Sequence, residues 1–132
     1  MKPKVLLVED DPIQSQLIRA MLRHRYQIIP IGPGDAVPDD FDAVVCDWQI
    51  PPLWVAMRDN LLRLATRLGR PCCIHTAFRP AEAEFQDVTF IPKDGLIDNL
   101  EAWLKSNIKN SSKRSGLSQL LAWLVAAMSF RV

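Results

Sequence analysis

Three acids stand directly behind short apolar runs in this chain of 132 residues. Glu9 and Asp10 follow Val5-Leu6-Leu7-Val8, and Asp47 follows Ala43-Val44-Val45-Cys46. Farther on, Thr76 closes Cys72-Cys73-Ile74-His75, and Lys93 follows Phe90-Ile91-Pro92. Two unit charges about 4 Å apart repel by about 4 kcal/mol at an effective dielectric near 20, so three carboxylates that converge need a cation. An all-oxygen donor set suits magnesium. Cys72, Cys73 and His75 do not suit zinc: strand alternation points Cys72 away from the other two, and no second ligand pair exists.

Convergence depends on the elements that carry these residues. The runs before Glu9 and Asp47 are too short for helices and rich in β-branched residues, so they read as strands buried on both faces, as in a parallel sheet. An acid at the carboxyl end of such a strand sits where open α/β sheets place their ligands. Asp11-Pro12 reads as a helix N-cap followed by proline at the first position, with Ile13, Leu17, Ile18 and Met21 on one face. Tyr26 to Ile31 and Pro71 to Thr76 are further strands, and Val88 to Ile91 is the fifth. Pro51-Pro52 opens a helix with Trp54, Met57, Leu61, Leu64, Ala65 and Leu68 inward. Arg58, Asp59, Arg63 and Arg67 point outward on that reading, and Gly69 is the C-terminal stop. Asp94-Gly95 opens a last regular helix through Ile97, Leu100, Trp103, Leu104 and Ile108.

Strands alternating with helices predict an α/β fold with a five-stranded parallel sheet, for which the flavodoxin-like order 2-1-3-4-5 is the expected arrangement. If the first and third strands are neighbours, as in that order, Glu9, Asp10 and Asp47 converge on one crevice. Two crossovers are short of the dozen or so residues a helix needs. The stretch from Gly32 to Asp40, GPGDAVPDD, is too rich in glycine and proline for a stable helix, so the second crossover helix is expected to be missing. AFRPAEAEFQD leaves room for little more than two turns, so the fourth is expected to be shortened.

Composition sets the outer bounds. The hydrophobic share of 48% and charged share of 23% are those of one ordinary globular domain. A formal net charge of +1 gives no basis for nucleic-acid binding. Three cysteines in apolar segments and an N-terminus that meets acids after four apolar residues predict a cytoplasmic protein without a signal peptide. The organisation expected is a domain over 1–108, a polar and basic linker over 109–116, and an apolar helical extension over 117–132. The extension is expected to pack on the sheet face short of helices, in its own subunit or as a homodimer contact. Its roughly 14 apolar residues are too few to span a membrane, so a membrane role is disfavoured.

Taken in order, five of these segments resemble the receiver domain of two-component response regulators. LLVEDDP is similar to that family's acidic pair, VVCDWQIP to its phospho-acceptor motif, IHTA to its hydroxyl followed by a small residue, and FIPKD to its lysine with an aromatic three residues before. The resemblance runs from Lys4 to about Ile108. It implies that Asp47 accepts a phosphoryl group, that Asp10, Asp47 and the Gln49 carbonyl bind Mg2+, and that Glu9 holds a metal-bound water. Thr76 and Lys93 then bind the phosphoryl oxygens, and Phe90 is the aromatic whose rotamer follows Thr76. The chain departs from the family in placing Asp94, not proline, after Lys93, and Leu53-Trp54-Val55 where a glycine is usual.

The resemblance implies a single-domain response regulator, a phospho-acceptor and not a turnover enzyme, served by a sensor histidine kinase or phosphotransfer protein. No DNA-binding module is expected after Ile108, so its output would be protein to protein, or phosphate relay. The alternative is a receiver-like scaffold that signals by dimerisation with weak or no phosphorylation. A magnesium-dependent phosphatase fits less well, because EDDP places proline where its next catalytic element belongs. A flavodoxin fits least, because Glu9 and Asp10 would repel a flavin phosphate.

Overall fold

The computed structural model describes residues 1–77, 88–93 and 97–108. Strand β1 (Lys4–Val8) leads through helix α1 (Pro12–Leu22) to β2 (Gln27–Pro30), and β3 (Ala43–Cys46) leads through α2 (Pro52–Arg67) to β4 (Cys72–Thr76). Strand β5 (Thr89–Pro92) precedes a helix over residues 98–108, here α3. The five strands form one parallel sheet, as the alternation of elements predicts, in the expected order β2-β1-β3-β4-β5.

Strand periodicity divides the core into two layers, because successive side chains leave a strand on opposite faces. Val5, Leu7, Ala43, Val45, Cys73 and Ile91 face α1 and α3, where they meet Ile18, Leu22, Leu100 and Leu104. Leu6, Val8, Val44, Cys46, Cys72 and Ile74 face α2, where they meet Leu61, Leu62 and Ala65. Every residue of β3 and β4 is buried, which explains why those segments read as unbroken apolar runs.

The connection from β2 to β3 has no helix. Its turn is held by Asp35, whose Oδ2 accepts from the Gly32 N–H at 2.8 Å while the Asp35 N–H donates to the Gly32 carbonyl at 3.1 Å. Ile31 and Phe41, at the two ends of the loop, are buried against the α2 layer. Burying a side chain such as Phe41 contributes about 1.5 to 3 kcal/mol. Trp54 leans over from α2, and a Cβ on Gly32 would lie 3.3 Å from its Cη2. The helix-free loop therefore packs on the α2 layer through Ile31 and Phe41, with the partly buried Trp54 against its start.

Three local readings need correction. In α1 it is Ile18 and Leu22, one turn apart, that enter the core, whereas Ile13, Leu17 and Met21 are 76%, 53% and 40% exposed. The apolar band on this helix is wider than the stripe the sheet can cover. In α2, Leu68 is exposed because the helix ends at Arg67 and the chain turns away through Gly69 at φ +67°. Arg58, expected in solvent, is buried with Leu61, Leu62 and Ala65, and its charge is met locally, as described below. Asp11 caps α1 as expected, its Oδ1 accepting from the Ile13 N–H at 2.9 Å.

The expected shortening of the fourth helix, the Asp94-Gly95 helix start, the linker 109–116 and the apolar extension 117–132 lie outside the described residues. Among the described residues no helix is long and apolar enough to cross a membrane.

Candidate functional site

The pairing of β1 with β3 aligns Val8 with Cys46, so the next residues, Glu9 and Asp47, emerge side by side at the carboxyl edge of the sheet. The Asp47 N–H donates to the Val8 carbonyl at 2.8 Å, which extends the ladder one step and fixes where the Asp47 side chain starts. Its Oδ1 then accepts from the Trp48 N–H at 2.7 Å and, more weakly, from the Gln49 N–H at 3.4 Å. Oδ2 is turned toward Lys93.

Lys93 arrives from the far side of the sheet. Its N–H donates to the Thr76 carbonyl at 3.0 Å, tying the end of β5 to the end of β4. Its ammonium donates to Asp47 Oδ2 and to Glu9 Oε1, each at 3.1 Å. The Lys93 side chain is only 14% exposed, that of Asp47 12% and that of Glu9 2%. One oxygen from each of Glu9, Asp10 and Asp47 lies within 4.8 Å of the others.

The charges in this cluster do not balance without help. Burial, with the neighbouring Asp47 carboxylate adding to it, pushes Glu9 up to about 8, and Lys93 only partly opposes that. Glu9 Oε2 is buried with no hydrogen-bond partner. A buried carboxylate oxygen that has no donor among the described residues, with two further carboxylates beside it, forms an all-oxygen donor set that fits a hard divalent cation such as Mg2+. Gln49, whose carbonyl completes the expected ligand set, is exposed in the turn just beyond Asp47.

Glu9, Asp10, Asp47 and Lys93 are therefore brought together directly. Thr76 is buried at the end of β4, between the strands that carry Asp47 and Lys93. Phe90 pairs in register with Ile74 and is half-buried on the α2 side, its ring 6.0 Å from that of Trp48 at a 60° tilt. Beside Lys93, a cavity of about 300 Å³ opens between α1 and the start of α3, lined by Ile13, Leu17, His75, Ala77 and Ile97.

Sequence reasoning missed two members of this region. Arg58 lies at helical spacing with Leu61, Leu62 and Ala65, a signal for an inward position that its charge obscured. His75 is buried on the α1 side with neither ring nitrogen hydrogen-bonded, and burial, then the Lys93 charge, pull it down to about 4. It is neutral at pH 7.

No protein-family model matches the sequence, and no curated protein sequence is similar to it. Solved structures are similar in fold. A receiver domain described as the BeF3-activated receiver domain of DrrB superposes with a TM-score of 0.64 at 17% identity, covering 83% of this chain and 99% of that one. A chain described as adenylate cyclase from Rhodopirellula baltica superposes with a TM-score of 0.66 at 16% identity, covering 92% and 98%. The chain has the receiver-domain fold.

Proposed function

We propose that this receiver-fold chain is a response regulator that accepts a phosphoryl group on Asp47 from a histidine kinase or phosphotransfer protein. The observation that carries this reading is the joining of Glu9, Asp10, Asp47 and Lys93 at the carboxyl edge of the sheet, with one oxygen of each acid inside 4.8 Å and the ammonium 3.1 Å from two of them. An Asp47 carboxylate oxygen attacks the phosphorus of a phosphohistidine, a P–O bond forms, the P–N bond breaks, and the imidazole nitrogen leaves with the electron pair. Glu9, Asp10, Asp47 and the Gln49 carbonyl would hold Mg2+, which supplies the positive charge that lets two anions meet. Lys93 would shift from Asp47 Oδ2 to a phosphoryl oxygen, and the Thr76 hydroxyl would donate to another.

Asp47 is in this reading a phospho-acceptor and not the nucleophile of a turnover enzyme. The signal would pass through altered protein contacts in the cytoplasm. Phe90, whose ring lies 6.0 Å from that of Trp48, is the side chain that would carry a change at the site outward. The test is calorimetric titration with Mg2+ and beryllofluoride, which mimics a phosphoryl group on a carboxylate. Saturable binding to the full chain that is lost in Asp47→Asn supports the phospho-acceptor; no binding to either favours a receiver-like scaffold that signals by association alone.

A further inference from the structure

We infer that Arg58 is a positioning residue for the turn that carries Asp47, an inference that rests on the phospho-acceptor reading above. Arg58 lies in the second turn of α2 and is only 4% exposed. A guanidinium stays charged at any working pH, and its burial is costly unless its donors are met. Here they are met by the site's own backbone. Nη1 donates to the Trp48 carbonyl at 2.9 Å and lies 3.5 Å from the Asp47 carbonyl. Nε donates to Asp59 Oδ1 at 3.1 Å, which orients the guanidinium.

The guanidinium also stacks on the side chain whose carbonyl it holds. Arg58 Cζ is 4.5 Å from the Trp48 ring centroid, within cation–π distance, and the Phe90 ring is 6.0 Å from that of Trp48. The Asp47 carboxylate, meanwhile, accepts from the Trp48 and Gln49 N–H groups. The turn is thus gripped on its N–H groups by Asp47 and on its carbonyls by Arg58. Arg58 touches neither carboxylate nor ammonium of the site.

An apolar residue of similar volume would fill this place in the core at less desolvation cost, so packing alone does not account for an arginine. What the charge adds is direction: it fixes Trp48, and with it the orientation of the next peptide, whose Gln49 carbonyl is assigned to Mg2+. Groups one step behind a metal ligand commonly change metal affinity by 10- to 100-fold when removed.

The test compares the full chain with Arg58→Met, Arg58→Lys and Asp59→Asn. Mg2+ affinity is read by calorimetry and by the change in tryptophan fluorescence, with Trp48→Phe identifying the part of the signal that comes from Trp48. Arg58→Met keeps the length and cover of the side chain and is expected to weaken Mg2+ binding by about tenfold. Arg58→Lys, which keeps a cation over the Trp48 ring, recovers part of that loss. A folded Arg58→Met protein with unchanged Mg2+ affinity overturns the inference. Should Arg58→Met fail to fold, Asp59→Asn carries the test: a loss of about threefold supports it and an unchanged affinity overturns it. A parent chain that binds no Mg2+ overturns the phospho-acceptor reading itself.

Discussion

Lys93 Nζ donates to Asp47 Oδ2 at 3.1 Å although the two residues leave strands that are separated by β4. The same ammonium reaches Glu9, so without a metal it is the cation that offsets the carboxylates. Removing it leaves buried charge uncompensated. Lys93→Met is expected to lower stability by about 3 kcal/mol in a metal chelator, measured by urea unfolding, and to regain much of that in Mg2+. Its affinity for beryllofluoride should fall, because the phosphoryl-binding cation is gone. Equal stability in chelator would show that the pair contributes nothing.

Glu9 makes metal binding depend on pH. With its carboxyl raised to about 8, it is mostly protonated at neutrality, and an incoming Mg2+ must displace that proton. Mg2+ affinity is therefore expected to rise from pH 6.5 to 8 with uptake of hydroxide or release of protons to the buffer. Calorimetry in buffers of different ionisation heat measures this directly. Glu9→Gln should lose the proton release.

The same group leaves a mark on metal-free stability. A folded pKa of about 8 against 4.5 unfolded means that the folded state holds the extra proton between those values. Its contribution is complete below pH 4.5 and is lost as pH rises through 8. His75, lowered to about 4 by burial, has the opposite sign: the unfolded chain takes its proton first, so stability falls as pH drops from 6.5 toward 4. Between pH 6.5 and 8 Glu9 therefore acts without opposition from His75. Unfolding in chelator should show stability declining across that window in the parent chain, with a shallower decline in Glu9→Gln.

Trp54, partly buried on the α2 layer, lies against the helix-free loop after β2. Trp54→Ala removes its ring from the loop at Gly32 and should cost about 3 kcal/mol. Binding of Mg2+ should change little, since the Trp54 indole offers no oxygen ligand for a hard cation. A large loss of metal affinity at full stability would reverse that assignment.

The apolar extension over 117–132 gives a separate prediction. Removing residues 110–132 is expected to lower the thermal midpoint or to convert a dimer to a monomer, read by light scattering. An unchanged monomer of equal stability would contradict a packing role for this segment.

Much of this architecture was legible in the residues themselves. Val5 to Val8 and Ala43 to Cys46 are buried on both faces, so their composition alone marked them as inner strands, and the acids behind them marked the carboxyl edge. The missing helix after β2 was equally plain, because GPGDAVPDD cannot hold one. Side-chain orientation was less legible. Ile13, Leu17 and Met21 are apolar yet face outward, because the sheet covers only the stripe through Ile18 and Leu22. Arg58 is charged yet faces inward, because two backbone carbonyls, a neighbouring acid and an indole ring satisfy it. Its helical spacing with Leu61, Leu62 and Ala65 pointed inward, but its charge obscured that signal.

The central claim is that Asp47 takes a phosphoryl group, and intact-protein mass spectrometry after incubation with acetyl phosphate and Mg2+ tests it most directly. The account predicts the gain of one phosphoryl mass that depends on Mg2+, maps to the peptide containing Asp47 and is lost in Asp47→Asn. No mass gain, or a gain that persists in Asp47→Asn, would contradict it.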